Sequence, residues 1–376
     1  MRQMARGACA HSAQMAKAGP LVGHKLAYSA VYSYLCPCIM KRYDNYSLSA
    51  HNTFGMDVRA ALFVEYETED ELRRFLQSGD LARHGRHLHI GSGSNLLFAG
   101  DYDGVVMHSA LRDLEVVAED DSHIEVRVGA GYVWDDFVAY CVAHGWGGVE
   151  NLSAIPGEVG ASAVQNIGAY GVEVRDVIVR VEAMALDGTM HVFANAECGY
   201  GYRDSVFKRG LRGQYIITHV VYRLDKTPTF RLDYGDLRAR VEAGGTPTLE
   251  AVRGAVAAIR DSKLPDPKVL GNAGSFFTNP IVTRSHYERL KETYPDMPSY
   301  PAGEDLVKVP AGWLIDHAGW KGKALGRAAV HDRQALVLVN LGGATGKEVM
   351  ALAERIGEDI YNNYGIRITP EVNFIL

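Results

Sequence analysis

The sequence predicts an α+β fold divided among two or three domains. Short strands and helices alternate from about residue 49 onward, without the strict strand–helix rhythm of a doubly wound sheet. At 376 residues the chain is long enough for more than one hydrophobic core. Its 47% apolar and 22% charged content is that of an ordinary globular protein.

The elements follow in order. Residues 1–39 carry Arg2, Arg6, Lys17 and Lys25 and no acidic residue, and they read as a disordered leader or an over-long start, with a targeting peptide as the alternative. Met40 opens a sensible sequence. Thr68 and Glu71 have the spacing of a capping box, which opens a helix toward Gly79. Residues 87–90 form a short strand that delivers the run Gly91-Ser-Gly-Ser-Asn95. Residues 115–118 and 124–128 flank acidic turn residues and predict a hairpin. A helix over 133–144 stops at Gly145. Two glycine-rich stretches follow, Ile155-Pro-Gly-Glu-Val-Gly-Ala161 and Gln165-Asn-Ile-Gly-Ala-Tyr-Gly171. Strands over 177–185 and 214–223 precede a helix over 248–260. Pro310 can start a helix that Gly319 ends. Thr345 and Glu348 make a second capping box, ahead of an apolar stripe of Val349, Leu352, Ile356 and Ile360 that runs up to Gly365.

Composition removes several function classes. A net charge of −6 leaves no basic footprint for nucleic acid. No apolar run has the length of a membrane span. Five cysteines, an odd number in so large a chain, argue against a disulfide framework and for a reducing, cytoplasmic compartment. Cys36-Pro-Cys38 lacks the second pair that would complete a metal site. His84, His87 and His89 match no ligand spacing and read as surface or strand residues, so no metal is expected. Nothing in the sequence calls for an obligate protein partner.

The residues that point to chemistry are spread along the chain. Small residues in Gly91-Ser-Gly-Ser-Asn95 let backbone N–H groups cluster around phosphate oxygens, although a tight structural turn explains the run equally well. Pro156-Gly157, Gly160-Ala161 and Asn166-Ile-Gly168 add further close-approach backbone, as a long phosphate-bearing cofactor would need; packed loops of a β domain remain the alternative. Tyr200-Gly-Tyr-Arg-Asp-Ser205 sets Arg203 between Tyr202 and Asp204, which can hold it as a guanidinium clamps a carboxylate bidentately; a structural ion pair is the commoner meaning of such a triplet. Tyr234, Lys263 and Lys321 are donors of the kind that recognise a diphosphate or sugar, or else solvated surface residues. Glu371 stands where a final strand meets apolar neighbours, and a buried carboxyl beside an arginine can hold a proton at neutral pH; read alone it is equally an exposed strand glutamate. Ser275, within Gly271-Asn-Ala-Gly-Ser-Phe-Phe277, has no Gly-x-Ser-x-Gly elbow and is not an acyl-transfer nucleophile.

Taken in order, these segments resemble the UDP-N-acetylenolpyruvoylglucosamine reductase family, type I. Further matching runs are Asn52-Thr-Phe-Gly55, Lys263-Leu-Pro-Asp-Pro-Lys268, Ala311-Gly-Trp-Leu-Ile-Asp316 and Pro370-Glu-Val. The resemblance covers nearly the whole chain except the leader. It implies an FAD-binding region of the vanillyl-alcohol-oxidase/PCMH type in two subdomains, residues 40–115 and 116–263, then an α+β substrate-binding domain over 264–370. A terminal strand over 371–376 is expected to return to the first subdomain. The implied cofactors are FAD and NADPH, with FAD held by Gly91, Ser92, Gly93, Ser94, Asn95, Pro156, Gly157, Gly160, Ala161, Asn166 and Gly168. The implied reaction reduces UDP-N-acetylglucosamine enolpyruvate to UDP-N-acetylmuramate, a step of peptidoglycan precursor synthesis. In it hydride reaches the enolpyruvyl methylene, Ser275 protonates C2, and Arg203 and Glu371 steady the enolate. Tyr202, Tyr234, Lys263, Asn279, Lys321 and Gln334 are implied around the substrate. A flavin oxidase of the related superfamily and a nucleotide-sugar-binding protein without turnover are the competing readings.

Overall fold

Eight residues from Arg59 to Tyr66 form a strand buried along most of its length, because both of its faces are covered. It pairs antiparallel with Lys41–Ser47 and parallel with Tyr102–Ser109, and His87–Ile90 adds a further parallel strand beyond. Leu62, Val64 and Met107 on this sheet pack against Leu72 and Phe75 of the helix Glu69–Gln77. The protein is described here from a computed structural model covering residues 40–376. The expectations for residues 1–39, including Cys36 and Cys38, lie outside the described residues.

The hairpin expected at 115–128 extends into a five-stranded antiparallel sheet. Its order is Met190–Ala194, Ile178–Ala185, Tyr215–Asp225, His123–Gly129 and Leu114–Glu119. Helices Trp134–Ala143 and Val159–Gln165 cover its inner face, where Trp134, Phe137 and Tyr222 are fully buried. A buried Phe such as Phe137 stabilises by about 1.5–3 kcal/mol. Two buried polar tips in this layer find partners: Trp134 Nε1 donates to the Leu152 carbonyl at 2.8 Å, and Tyr222 and Ser162 share a bond of 2.9 Å.

A third layer joins Gly271–Ser275, Val337–Asn340, Ala328–Val330 and Ala324–Leu325 in one sheet under the helix Gly346–Tyr364. Thr345 and Glu348 cap this helix reciprocally, with Glu348 N–H donating to Thr345 Oγ1 at 3.3 Å and Thr345 N–H donating to Glu348 Oε2 at 2.7 Å. Its apolar stripe enters one core with Phe54, Phe98 and Phe276, so this sheet and the first share their interior. Asn373–Ile375 pairs parallel with Leu96–Phe98.

Three elements differ from the sequence reading. The Thr68 box is half made, because Glu71 turns its carboxylate to the Glu67 N–H at 2.7 Å. The stretch read as glycine loops contains the helix Val159–Gln165; Gly160 lies within it because a Cβ there would stand 2.8 Å from Ala130 Cβ. The helix Arg284–Thr293 has no fully buried residue and so shows no apolar stripe to read; the Thr283 hydroxyl caps it.

Candidate active site

A cleft of about 1100 Å³ opens where these layers meet. Its walls include Gly91, Ser92, Gly93, Ser94 and Asn95, then Pro156, Gly157, Gly160, Ala161 and Gly168, and also Arg203, Ser275 and Glu371.

The first glycine run is shaped by what lies behind it. Gly93 has φ +70°, and a Cβ there would stand 1.9 Å from the His51 carbonyl oxygen, so no side chain fits. Ser94 Oγ donates to the Pro156 carbonyl at 3.1 Å, tying the two glycine segments together. Ser92 and Thr53 line the cleft, and their hydroxyl oxygens are buried without a hydrogen-bond partner. A buried hydroxyl without a partner costs about 1–3 kcal/mol, which a phosphate oxygen would recover. Clustered small residues, unspent hydroxyls and the cations Arg86, Arg203, Lys208 and Arg260 on the same walls fit a pyrophosphate-bearing flavin. Asn166 stands apart. It is fully buried off the cleft wall, and its amide donates to the Gly201 carbonyl at 2.7 Å and to Glu173 at 3.0 Å.

Arg203, Ser275 and Glu371 come from three distant segments. Arg203 sits in a tight turn with φ +57°. Its Nε lies 3.2 Å from Glu371 Oε1, yet it has no partner in hydrogen-bonding geometry. Glu371 N–H donates to the Phe276 carbonyl at 2.8 Å, and Phe277 bridges Pro370. That pairing sets Glu371 beside the strand end occupied by Ser275, which is exposed to the cleft. Asn95 Nδ2 also donates to the Glu371 main-chain carbonyl at 3.3 Å, so the glycine run is joined directly to the backbone that carries the carboxyl.

Burial raises the Glu371 carboxyl above its ordinary range, while Arg203 and Lys208 pull it back. Burial likewise lowers Lys208 and Arg260. Asp204 does not hold Arg203; its carboxylate is 2.7 Å from Arg209 Nε.

The six residues implied around the substrate lie outside the cleft walls. Tyr202 is exposed, with Lys308 Nζ 4.2 Å from its ring centroid. Tyr234 is exposed and meets Tyr170 edge-on at 5.7 Å. Lys263 is exposed at the end of the helix Leu249–Lys263. Asn279 Oδ1 accepts the Ala311 N–H at 2.9 Å, at the start of the helix Ala311–His317. Lys321 pairs with Asp316 at 2.5 Å, and Gln334 Oε1 accepts the Leu336 N–H at 3.4 Å.

Sequence reasoning missed a buried chain behind the cleft. His108 Nδ1 lies 2.9 Å from Glu65 and its Nε2 lies 3.0 Å from Glu158, which lines the cleft beside Gly91. The one signal was a lone glutamate inside Ile155-Pro-Gly-Glu-Val-Gly-Ala161. Burial opposes charge on His108, but Glu158 and Glu65 outweigh it and raise the imidazole. Among the described residues no group of His, Cys, Asp and Glu could hold a metal ion. His89 bonds Tyr66 OH at 2.8 Å.

Comparison with known proteins returns two family matches. Residues 60–194 match the family described as "FAD binding domain", and residues 266–375 match "UDP-N-acetylenolpyruvoylglucosamine reductase, C-terminal domain". The chain is 58% identical over 332 residues to a UDP-N-acetylenolpyruvoylglucosamine reductase of Bacteroides fragilis, covering 88% of this chain and 99% of that protein. A protein of the same name from Porphyromonas gingivalis is 47% identical, over 89% of this chain and 99% of its own length. The crystal structure of UDP-N-acetylenolpyruvylglucosamine reductase from Thermus caldophilus superposes with a TM-score of 0.62 at 24% identity, over 90% of this chain and 99% of that one, and shares the fold.

Proposed function

The chain belongs to the UDP-N-acetylenolpyruvoylglucosamine reductase family, and from that premise we propose that it reduces UDP-N-acetylglucosamine enolpyruvate to UDP-N-acetylmuramate with NADPH, in the cytoplasm. It is an FAD-binding oxidoreductase of peptidoglycan precursor synthesis. FAD, which the walls carrying residues 91–95 and 156–157 would hold, would supply the two-electron hydride chemistry, with NADPH as the source of the electrons. The chain's own residues supply the rest. As hydride reaches the methylene, negative charge moves through C2 onto the substrate carboxylate. The Arg203 guanidinium, aimed by Glu371, is the preorganised partner for that charge. The Ser275 hydroxyl donates its proton to C2, which completes addition of one hydride and one proton across the double bond. Lys208 and Arg260 add positive potential to the same walls.

One observation carries this reading: Arg203 and Glu371 pair at 3.2 Å, and Glu371 rides on the residue next to Ser275, on the walls that also hold the glycine runs. The test is a pair of half-reactions on Ser275→Ala. NADPH should bleach its flavin as in the wild type, while the enolpyruvyl substrate should restore the colour about 10²–10⁴-fold more slowly. Reoxidation at the wild-type rate would remove Ser275 from the reaction. A wild-type flavin that NADPH bleaches but the substrate never restores would remove the substrate assignment.

A further inference from the structure

The turn that carries Arg203 is clamped to the end of the helix Val159–Gln165 at three points. Asn166 holds the Gly201 carbonyl at 2.7 Å, Ser205 Oγ donates to the Val164 carbonyl at 2.7 Å, and Lys208 Nζ donates to Gln165 Oε1 at 2.9 Å. Lys208 also donates to the Arg203 carbonyl itself at 2.8 Å. A clamp is needed, because Arg203 is held at φ +57°, a conformation that costs an ordinary side chain about 1–2 kcal/mol.

The choice of lysine for this clamp is informative. Both hydrogen-bond acceptors of Lys208 are neutral, and among the described residues no carboxylate lies within 4.0 Å of its ammonium. A half-buried ammonium with neutral partners is costly, and burial lowers its affinity for the proton. A neutral donor would make the same two bonds without that cost. The carboxylates its charge faces are Glu371 and Asp204; the like charges are Arg203 and Arg212. Asp204 is already paired with Arg209, which leaves Glu371 as the group that the ammonium serves.

We propose that Lys208 is a positioning residue of this site: it fixes the Arg203 turn in its left-handed conformation and gives Glu371 a second positive neighbour on the same cleft wall. The role rests on the reductase reading for its consequence in turnover, but not for its effect on Glu371. In chemical terms, Lys208 favours the carboxylate form of Glu371 against the effect of burial, and its bond to the Arg203 carbonyl holds the turn that aims the guanidinium.

Flavin-loaded wild type, Lys208→Met and Lys208→Arg carry the test. Without substrate, ¹³C NMR of glutamate carboxyls, assigned by the signal lost in Glu371→Gln, reads the Glu371 titration directly. Its midpoint should rise by about half a unit to one unit in Lys208→Met and return toward wild type in Lys208→Arg. In stopped flow, reoxidation by the enolpyruvyl substrate should fall about 10–100-fold in Lys208→Met, a clearly larger loss than in flavin reduction by NADPH, and should recover in Lys208→Arg. An unmoved Glu371 midpoint overturns the proposal, as do equal losses in both half-reactions or an arginine variant no better than methionine. If Lys208→Met fails to load flavin, Lys208→Gln keeps the bonding and drops the charge, and the same NMR criterion decides. A wild-type enzyme that the substrate cannot reoxidise would sink the reductase reading and leave the NMR result to judge Lys208 alone.

Discussion

Gly93→Ala tests whether the first glycine run is shaped by steric exclusion. The added Cβ would stand 1.9 Å from the His51 carbonyl oxygen and 2.8 Å from Asn52 Cα, where ordinary contact begins at 3.4 Å. The carbonyl would have to retreat by the difference between 3.4 and 1.9, which is 1.5 Å. It is poorly free to do so. Asn52 is buried and donates to the carbonyls of Leu48 at 2.8 Å and Met56 at 3.1 Å, while its Oδ1 accepts the Met56 N–H at 2.7 Å. The positive φ adds about 1–2 kcal/mol, and overpacking against fixed backbone adds about 1–3 kcal/mol, for a loss of roughly 2–5 kcal/mol. In a protein of this size that lowers the melting temperature by about 3–7 °C. Gly100→Ala is the control, since nothing lies within 4 Å of its Cβ position and its φ is not positive. It should be neutral or slightly stabilising. Thermal melts of the flavin-depleted proteins read the first effect. A fluorescence titration with FAD reads the second, expected as at least a tenfold weaker Kd for Gly93→Ala because the run must shift. A Gly93→Ala protein that melts within 1 °C of wild type and binds FAD equally well would refute the steric argument.

Two further outcomes follow from charges in and around the cleft. His108 is raised by Glu158 and Glu65 against the effect of burial, so its folded value lies above the unfolded one. The stability it adds is therefore fully present below about pH 6.5 and is lost as pH rises through the folded value. Its charged neighbourhood is Glu65 and Glu158 in contact, Lys41 beyond Glu65, and the histidines His51 and His89, which burial keeps neutral. Melts from pH 5.5 to 8.5 should show that decline in the wild type and a flatter profile in His108→Gln; parallel profiles would rule the network out. Asp204→Asn should leave substrate reduction within about twofold, because its carboxylate serves Arg209. A loss as large as that of an Arg203 variant would show that Asp204 does orient the guanidinium.

What was legible in the sequence was legible for local reasons. The stripe after Thr345, the hairpin near residue 120 and the glycine at Gly93 each declare themselves within a few residues. Arg203, Ser275 and Glu371 were expected through resemblance alone, since nothing local says that residues 203, 275 and 371 line one cleft. The misses share a cause. Asn166 looked like part of a cofactor loop because its neighbours are small, but as the residue ending the helix Val159–Gln165, with φ +44°, it turns its amide inward to the Arg203 turn. Asp204 looked like the partner of its neighbour Arg203, yet Glu371 arrives from the other end of the chain. Lys208 and the Glu65–His108–Glu158 chain depend on pairings across 43 to 50 residues, and no periodicity encodes those.

The bond from Asn95 to the Glu371 carbonyl spans 276 residues of chain, and the strand Asn373–Ile375 next to it seals the edge beside Leu96–Phe98. Closing so long a loop is slow and comes late, after local helices and hairpins have formed. The cleft is therefore expected to mature late in folding rather than as a property of any one segment. Flavin uptake should accordingly serve as a clock for completed folding, trailing the recovery of helical signal during refolding from denaturant.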